Sequence, residues 1–247
     1  MSTKSIILSV IASILILVFL GLFFTGMLIG WGPFQGVYWL REIKRLKSSY
    51  AYEDNQGGIV FYGASNFRLW KTMEDDLNEY RVINCGFGGS TDKLMLKHAD
   101  ELLYPYNPKM IFLQTGSNDY VSMKGSDEEK ITACMEYKKA MYEEFHKNCT
   151  EAKIVVMSGL LLPGRSEYTD LTIKVNLALL EYCEGVDYLY FVDANAMTYD
   201  GEGYATELFL DDGIHLNHEG QLLWMENYIR PTIEILIEEY EIQGIRK

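Results

Sequence analysis

Cysteine and histidine are both scarce in this chain of 247 residues, four of each. None of Cys85, Cys134, Cys149 and Cys183 stands in C-x-x-C spacing, so zinc-site and thioredoxin-like redox readings have no support. Cys134 falls inside an expected helix and Cys149 just past its end. At about 1.5 Å rise per residue they stand about 20 Å apart, too far for a bridge between them. Cys85 ends an expected strand and reads as a small buried hydrophobe. Basic clusters are missing too. The chain carries −13 in all and residues 1–50 a balance of +4, which leaves −17 on the remainder. A surface that acidic does not suit phosphate backbones, so no nucleic acid partner is expected. Internal repeats, low-complexity tracts and a second-domain linker are absent, and a 48% hydrophobic content points to one substantial core.

Charge itself is missing from Ser5 to Leu40, and residues 6–30 are almost continuously apolar. About 20 such residues cross the hydrocarbon core as a helix. The stretch is too long for a secretory h-region and lacks a small-x-small cleavage site, so residues 1–32 are expected to form an uncleaved transmembrane anchor. Pro33 ends or bends it. Beyond, Trp39, Leu40, Ile43 and Leu46 recur at helical spacing between Arg41, Lys44, Arg45 and Lys47. This juxtamembrane stretch, 33–56, suits either a helix on an anionic membrane surface or one docked on the domain that follows. The domain itself is assigned to residues 57–247.

From residue 57 the pattern alternates. Apolar β-rich runs at Gly58–Tyr62, Arg81–Cys85, Met110–Gln114, Lys153–Ser158 and Tyr188–Val192 predict five strands. Helical patterns near Phe67–Leu77, Thr91–Leu103, Asp127–Lys147 and Leu171–Cys183 separate them, and a last helix runs from about Glu219 to Glu239 with Asn217 as N-cap. The expected fold class is α/β, a parallel sheet covered by helices on both faces, with ligands bound outside the carboxyl ends of the strands. Pro163-Gly164-Arg165 and Tyr199–Tyr204 read as surface loops over that edge.

Four short blocks fall at that edge. Ser65 follows the first strand and Gly63; a serine there is also an ordinary N-cap. The nucleophile elbow G-x-S-x-G is absent because Phe67 replaces its second glycine, which disfavours an α/β-hydrolase. In Asn84-Cys85-Gly86-Phe87-Gly88-Gly89, a dinucleotide fingerprint would need a third glycine where Thr91 stands. What remains is a backbone able to aim N–H groups into a concavity, or a plain left-handed turn. Asn118, after the third strand, carries an NH₂ that can donate to an oxyanion, and Asp119 can hold its loop. Asp212 stands three residues before His215, close enough to fix the imidazole tautomer and leave Nε2 to take a serine proton. Asp211 is a rival orienter. His98 and His146 read as solvated or capping residues, and His218 as part of the last helix's first turn.

In this order the blocks resemble the SGNH (GDSL-like) hydrolase superfamily over residues 57–240. The glycine block and Gly116-Ser117-Asn118-Asp119 are similar to the branch of platelet-activating-factor acetylhydrolase catalytic subunits and bacterial acetylesterases. The resemblance implies a three-layer α/β/α flavodoxin-like fold with no cofactor and no metal. It implies Ser65 as nucleophile, His215 as base and Asp212 as its orienter, with an oxyanion hole of the Ser65 and Gly89 N–H groups and the Asn118 side chain. One departure stands out, Ala64 where the family's Gly-Asp-Ser has a carboxylate. The implied function is a membrane-anchored serine esterase removing small acyl groups, acetyl above all, from a small-molecule or glycan ester. Alternatives are an O-acyltransferase using the same acyl-serine and a non-catalytic glycan-binding or scaffold protein. The four basic residues after the apolar stretch, taken alone, favour a cytoplasmic domain, but they begin well past it, and such substrates place the expected catalytic domain on the extracytoplasmic side of a single-pass anchor. Oligomeric state is not legible.

Overall fold

The computed structural model describes residues 11, 13–23 and 35–247. It comprises two compact units, Met1–Ser49 and Tyr50–Lys247. In the first, residues 13–23 are helical with every side chain exposed, and helix α1 spans Gln35–Ser49. Much of the anchor expected over 1–32 lies outside the described residues. Among those described, no helix is long and apolar enough to cross a membrane.

The second unit is built on five parallel strands in the order β2-β1-β3-β4-β5: β1 Ile59–Gly63, β2 Val82–Asn84, β3 Met110–Gln114, β4 Lys153–Met157 and β5 Leu189–Val192. Each is within a residue or so of its expected place, because parallel strands buried on both faces read as unbroken apolar runs. The helices are α2 Ser65–Leu69, α3 Met73–Asp76, α4 Asp92–Leu102, α5 Ser117–Ser122, α6 Asp127–Asn148, α7 Thr169–Glu184, α8 His218–Trp224 and α9 Arg230–Glu239. Helix α6 starts at a capping box in which the Ser126 N–H donates to Glu129 Oε2 and the Glu129 N–H to Ser126 Oγ. Residues 50–56 pack on this unit: the Tyr52 hydroxyl donates to the Glu101 carbonyl, 3.0 Å.

Side chains alternate across the sheet and fill two apolar layers. On one face Phe61 stacks on Phe112 at 4.8 Å between ring centres and meets the Phe67 ring edge-on at 5.2 Å. Phe67 in turn stacks on Trp224 from α8. On the other face Tyr62 packs against Phe145 of α6, and its hydroxyl donates to the Met95 carbonyl of α4. These layers are the expected three-layer α/β/α arrangement. They also anchor the carboxyl edge, since the residue two places after Ser65 is a fully buried ring, whose loss costs about 3–5 kcal/mol in such a core.

Three expectations need correction. The helix over Phe67–Leu77 is broken at Trp70–Thr72, where the Trp70 indole N–H and the Thr72 hydroxyl both donate to Asp76 Oδ2 at 2.7 Å. The last helix widens into a π turn at Met225–Ile229 before α9, whose Pro231 supplies no N–H to the ladder. His98 is buried against the edge of Phe87, and burial lowers its pKa. Asn217 does cap α8, accepting from the Gly220 N–H at 2.9 Å. All four cysteines are free and buried.

Candidate active site

The chain turns sharply after β1. A Cβ on Gly63 would stand 2.7 Å from both the Gln114 carbonyl oxygen and the Phe67 ring, so only glycine lets β1 pass this close to β3. Helix α2 then opens at Ser65 with Ala64 as its N-cap residue and no side-chain cap. The ordinary N-cap role open to Ser65 is therefore not the one it takes. Its Oγ lies 2.8 Å from His215 Nε2, across 150 residues of chain.

His215 sits in a loop closed by pairing of Phe209 with Leu216 and by a Leu210 N–H to His215 carbonyl bond of 2.8 Å. Its Nδ1 is 2.6 Å from Asp212 Oδ2, while Asp212 Oδ1 accepts from the N–H groups of Ile214 and His215 at 2.8 and 3.0 Å. Burial works against ionisation of Asp212, but the hydrogen bonds from the His215 ring and the two backbone N–H groups outweigh it and hold the carboxyl below its ordinary range. Asp212 thus accepts at both oxygens, orienting the ring with Nε2 toward Ser65. Neighbouring Asn66, buried, clamps the same loop to α2: its Oδ1 accepts from the Leu216 N–H at 2.9 Å.

Asn118 opens from the first turn of α5, and its side chain lines the same small hollow as Ser65, with Gln114, Ser117, Leu160 and Arg165 among the other walls. The hollow is about 20 Å³. Asn118 Nδ2 donates to the Ser90 carbonyl at 3.1 Å. Gly89, just before Ser90, holds the left-handed φ of +69° that the glycine block allows, but it is not among the residues lining the hollow. Sequence reasoning missed Asn66, Gln114 and Arg165. Gln114 alone left a sign, a polar residue closing an apolar strand, and its Oε1 is buried without a partner among the described residues.

Beneath Asn118, Asp119 ties β3's loop to the start of α4 by accepting from the Asp92 N–H at 3.0 Å. Lys138 Nζ, fully buried, contacts Asp92 Oδ2 at 3.0 Å and Thr115 Oγ1 at 2.7 Å. Asp92 thus takes the ion pair with this ammonium, and Asp119 feels Lys138 only through space. Burial and the facing Asp92 charge push Asp119 up to about 7, against the pull of Lys138, and no donor among the described residues meets its Oδ2. A carboxyl whose proton is held more tightly in the folded than in the unfolded state adds stability at pH below about 4 that is lost as pH rises toward about 7. Asp119→Asn keeps an oxygen for the Asp92 N–H and removes the titration. Its melting temperature relative to wild type is therefore expected to rise between about pH 5 and pH 8. A constant difference across that range would mean that the raised pKa has no consequence for stability.

A 2-1-3-4-5 parallel sheet with a Ser–His–Asp hydrogen-bonded chain at its carboxyl edge is the architecture of SGNH-type hydrolases. The model of the GDSL-like lipase/acylhydrolase family matches residues 54–223, well over half of the sequence, and the chain belongs to that family. No curated protein matches it. Among solved structures, a candidate acylhydrolase from Bacteroides fragilis is similar with a TM-score of 0.65 at 20% identity, covering 78% of this chain and 96% of that one. The C-terminal catalytic domain of a Streptococcus pneumoniae peptidoglycan O-acetyltransferase is similar with a TM-score of 0.51 at 14% identity, covering 78% and 98%. An acetyl-xylooligosaccharide esterase from Geobacillus is similar with a TM-score of 0.53 at 14% identity, again covering 78% and 98%.

Proposed function

We propose that the protein is a serine esterase that removes small acyl groups, acetyl first among them, from a polar ester such as an acylated glycan. The observation that carries this reading is the unbroken hydrogen-bond chain from Ser65 Oγ through His215 to Asp212. Ser65 attacks the ester carbonyl as His215 Nε2 takes its proton, and Asp212 stabilises the imidazolium that forms. The tetrahedral oxyanion is held by the Ser65 N–H and Asn118 Nδ2 from the walls of the hollow, with the Gly89 N–H, outside those walls, as the third donor that the family resemblance implies. His215 returns the proton to the leaving alcohol, and water resolves the acyl-serine. A hollow of about 20 Å³ supports a short acyl chain, because about 10–15 Å³ holds a single water-sized group.

Water is not the only acceptor that can resolve an acyl-serine, and a sugar hydroxyl would make the protein an O-acyltransferase. The fold shared with the O-acetyltransferase domain favours keeping that reading second. Turnover of a chromogenic acetate, measured with and without sugar acceptors, separates them: hydrolysis unaffected by acceptor supports the esterase. Absence of turnover together with failure of a serine-directed probe to label Ser65 would leave a non-catalytic glycan-binding protein. For Asn118→Ala, kcat is expected to fall by about two to three orders of magnitude with the fold intact. Near-wild-type turnover would remove Asn118 from the oxyanion hole.

The apolar N-terminus is proposed as a single-pass anchor carrying the domain on the extracytoplasmic side. Exposed large apolar side chains along residues 14–20, Leu17 at 68%, support a lipid surround. Probe labelling of Ser65 in intact cells, with a membrane-impermeant reagent, tests the side.

A further inference from the structure

Arg165 belongs to no part of the mechanism above, yet its guanidinium lines the hollow beside Ser65. It reaches there from the surface segment after β4, which winds as a 3-10 turn over Pro163–Tyr168. Nη2 donates to Asn118 Oδ1 at 3.1 Å and Nη1 donates to Ser117 Oγ. Both partners are neutral. The turn is itself fastened to the histidine loop, because the Gly164 N–H donates to the Gly213 carbonyl at 2.8 Å, one residue beyond Asp212.

We infer that Arg165 is a positioning residue for the oxyanion hole: it fixes which way the Asn118 amide faces and polarises it, linking the oxyanion donor to the loop that carries the base. This rests on the esterase reading of the site. The orientation follows from hydrogen-bond chemistry. A guanidinium has only donors, so the atom it meets must be Oδ1, and the Ser90 carbonyl has only acceptors, so the atom it meets must be Nδ2. The amide is thereby held from both ends. One N–H of Nδ2 goes to Ser90, and the other remains for the substrate oxygen. A cation on Oδ1 draws electron density from the amide and strengthens Nδ2 as a donor, as linked hydrogen bonds do in a low-dielectric site. Lysine could supply the charge but not the two-pronged geometry to Ser117 and Asn118.

The test uses the full-length protein in detergent and 4-nitrophenyl acetate, a neutral ester that gives Arg165 nothing anionic to bind. Arg165→Ala is expected to lower kcat by about 10–100-fold, as loss of positioning remote from the bond does, with KM within about twofold. Arg165→Lys should recover part of the loss. In an Asn118→Ala background, Arg165→Ala should cost at most about a further twofold, because the two act as a unit. An equal loss in both backgrounds, an effect confined to KM for acid-bearing esters, or no loss at all would each overturn the inference. Side-chain ¹H–¹⁵N signals of Asn118 decide the same point without turnover: the two NH₂ resonances, displaced from free-amide positions in wild type, should move toward the still separate positions of a solvent-exposed amide in Arg165→Ala. Unchanged resonances would refute the positioning role. A wild type that neither turns over acetate nor takes a serine probe would instead sink the esterase reading, and the amide resonances would still report on Arg165.

Discussion

Ser65→Ala is expected to reduce acetate-ester turnover by about five to six orders of magnitude while leaving melting temperature close to wild type. The size follows from the way a nucleophile and its base act. Removing either member stops acyl-serine formation, and loss of a serine nucleophile in such an arrangement costs about a millionfold. The fold should be indifferent. Ser65 Oγ bonds His215 and caps no helix N–H, and the segment is held instead by Phe67 against Phe61 and Trp224 and by Asn66 on the Leu216 N–H. Removing a small polar group of this kind changes stability by about 0.5 kcal/mol or less. Combining Ser65→Ala with His215→Ala should be no worse than Ser65→Ala alone. Initial rates with a chromogenic acetate, alongside thermal unfolding, check both halves. Turnover surviving at a hundredth of wild type or more would mean that another group is the nucleophile.

The sheet was legible because its evidence is local. Ile59-Val60-Phe61-Tyr62 and Met110-Ile111-Phe112-Leu113 are apolar on both alternating faces, and only a strand with helices above and below can bury such a run. The strand-to-loop transitions then put four chemically distinctive blocks at one edge, so Ser65, Asn118, Asp212 and His215 could be named before any distance was known. The failures are non-local. Nothing in Phe67–Leu77 announces a break at Trp70, because the break comes from an indole buried near Trp224 and bonded to Asp76. Asn66 and Arg165 look like ordinary polar residues in sequence, and only Gln114 stands out, as the polar end of an apolar strand. The roles of Asn66 and Arg165 come from partners 150 and 47 positions away. Asp119 was read as a loop-holding carboxylate, and it does hold the loop, but its raised pKa comes from burial and from the Asp92 charge arriving on α4, which outweigh the opposing pull of Lys138 on α6. Short-range pattern finds elements and edges; the shells around a reacting group are long-range facts.

Asp212→Asn should be the most damaging conservative change at the site after loss of Ser65 or His215, lowering kcat by about three to four orders of magnitude. The reasoning concerns one proton. The substituted amide would keep an oxygen for the Ile214 and His215 N–H groups that Oδ1 now serves, so the loop need not move. Its other terminus would be an NH₂ facing His215 Nδ1. Two donors cannot meet, so Nδ1 would give up its hydrogen and Nε2 would carry it. An Nε2–H cannot accept the Ser65 proton, and the base is lost although every heavy atom stays in place. Asp212→Ala lacks that inverted donor. It leaves the tautomer free and should therefore retain more activity than Asp212→Asn. The Asp212 side chain is 44% exposed, so water can partly replace it in Asp212→Ala, and this widens the gap between the two. The alanine substitution outperforming the asparagine one, with KM little changed in both, is the signature of tautomer control. If the Asp212→Asn protein turned over at near-wild-type rates, the orienting carboxylate would have to be sought elsewhere, and Asp211 is the neighbour to replace next.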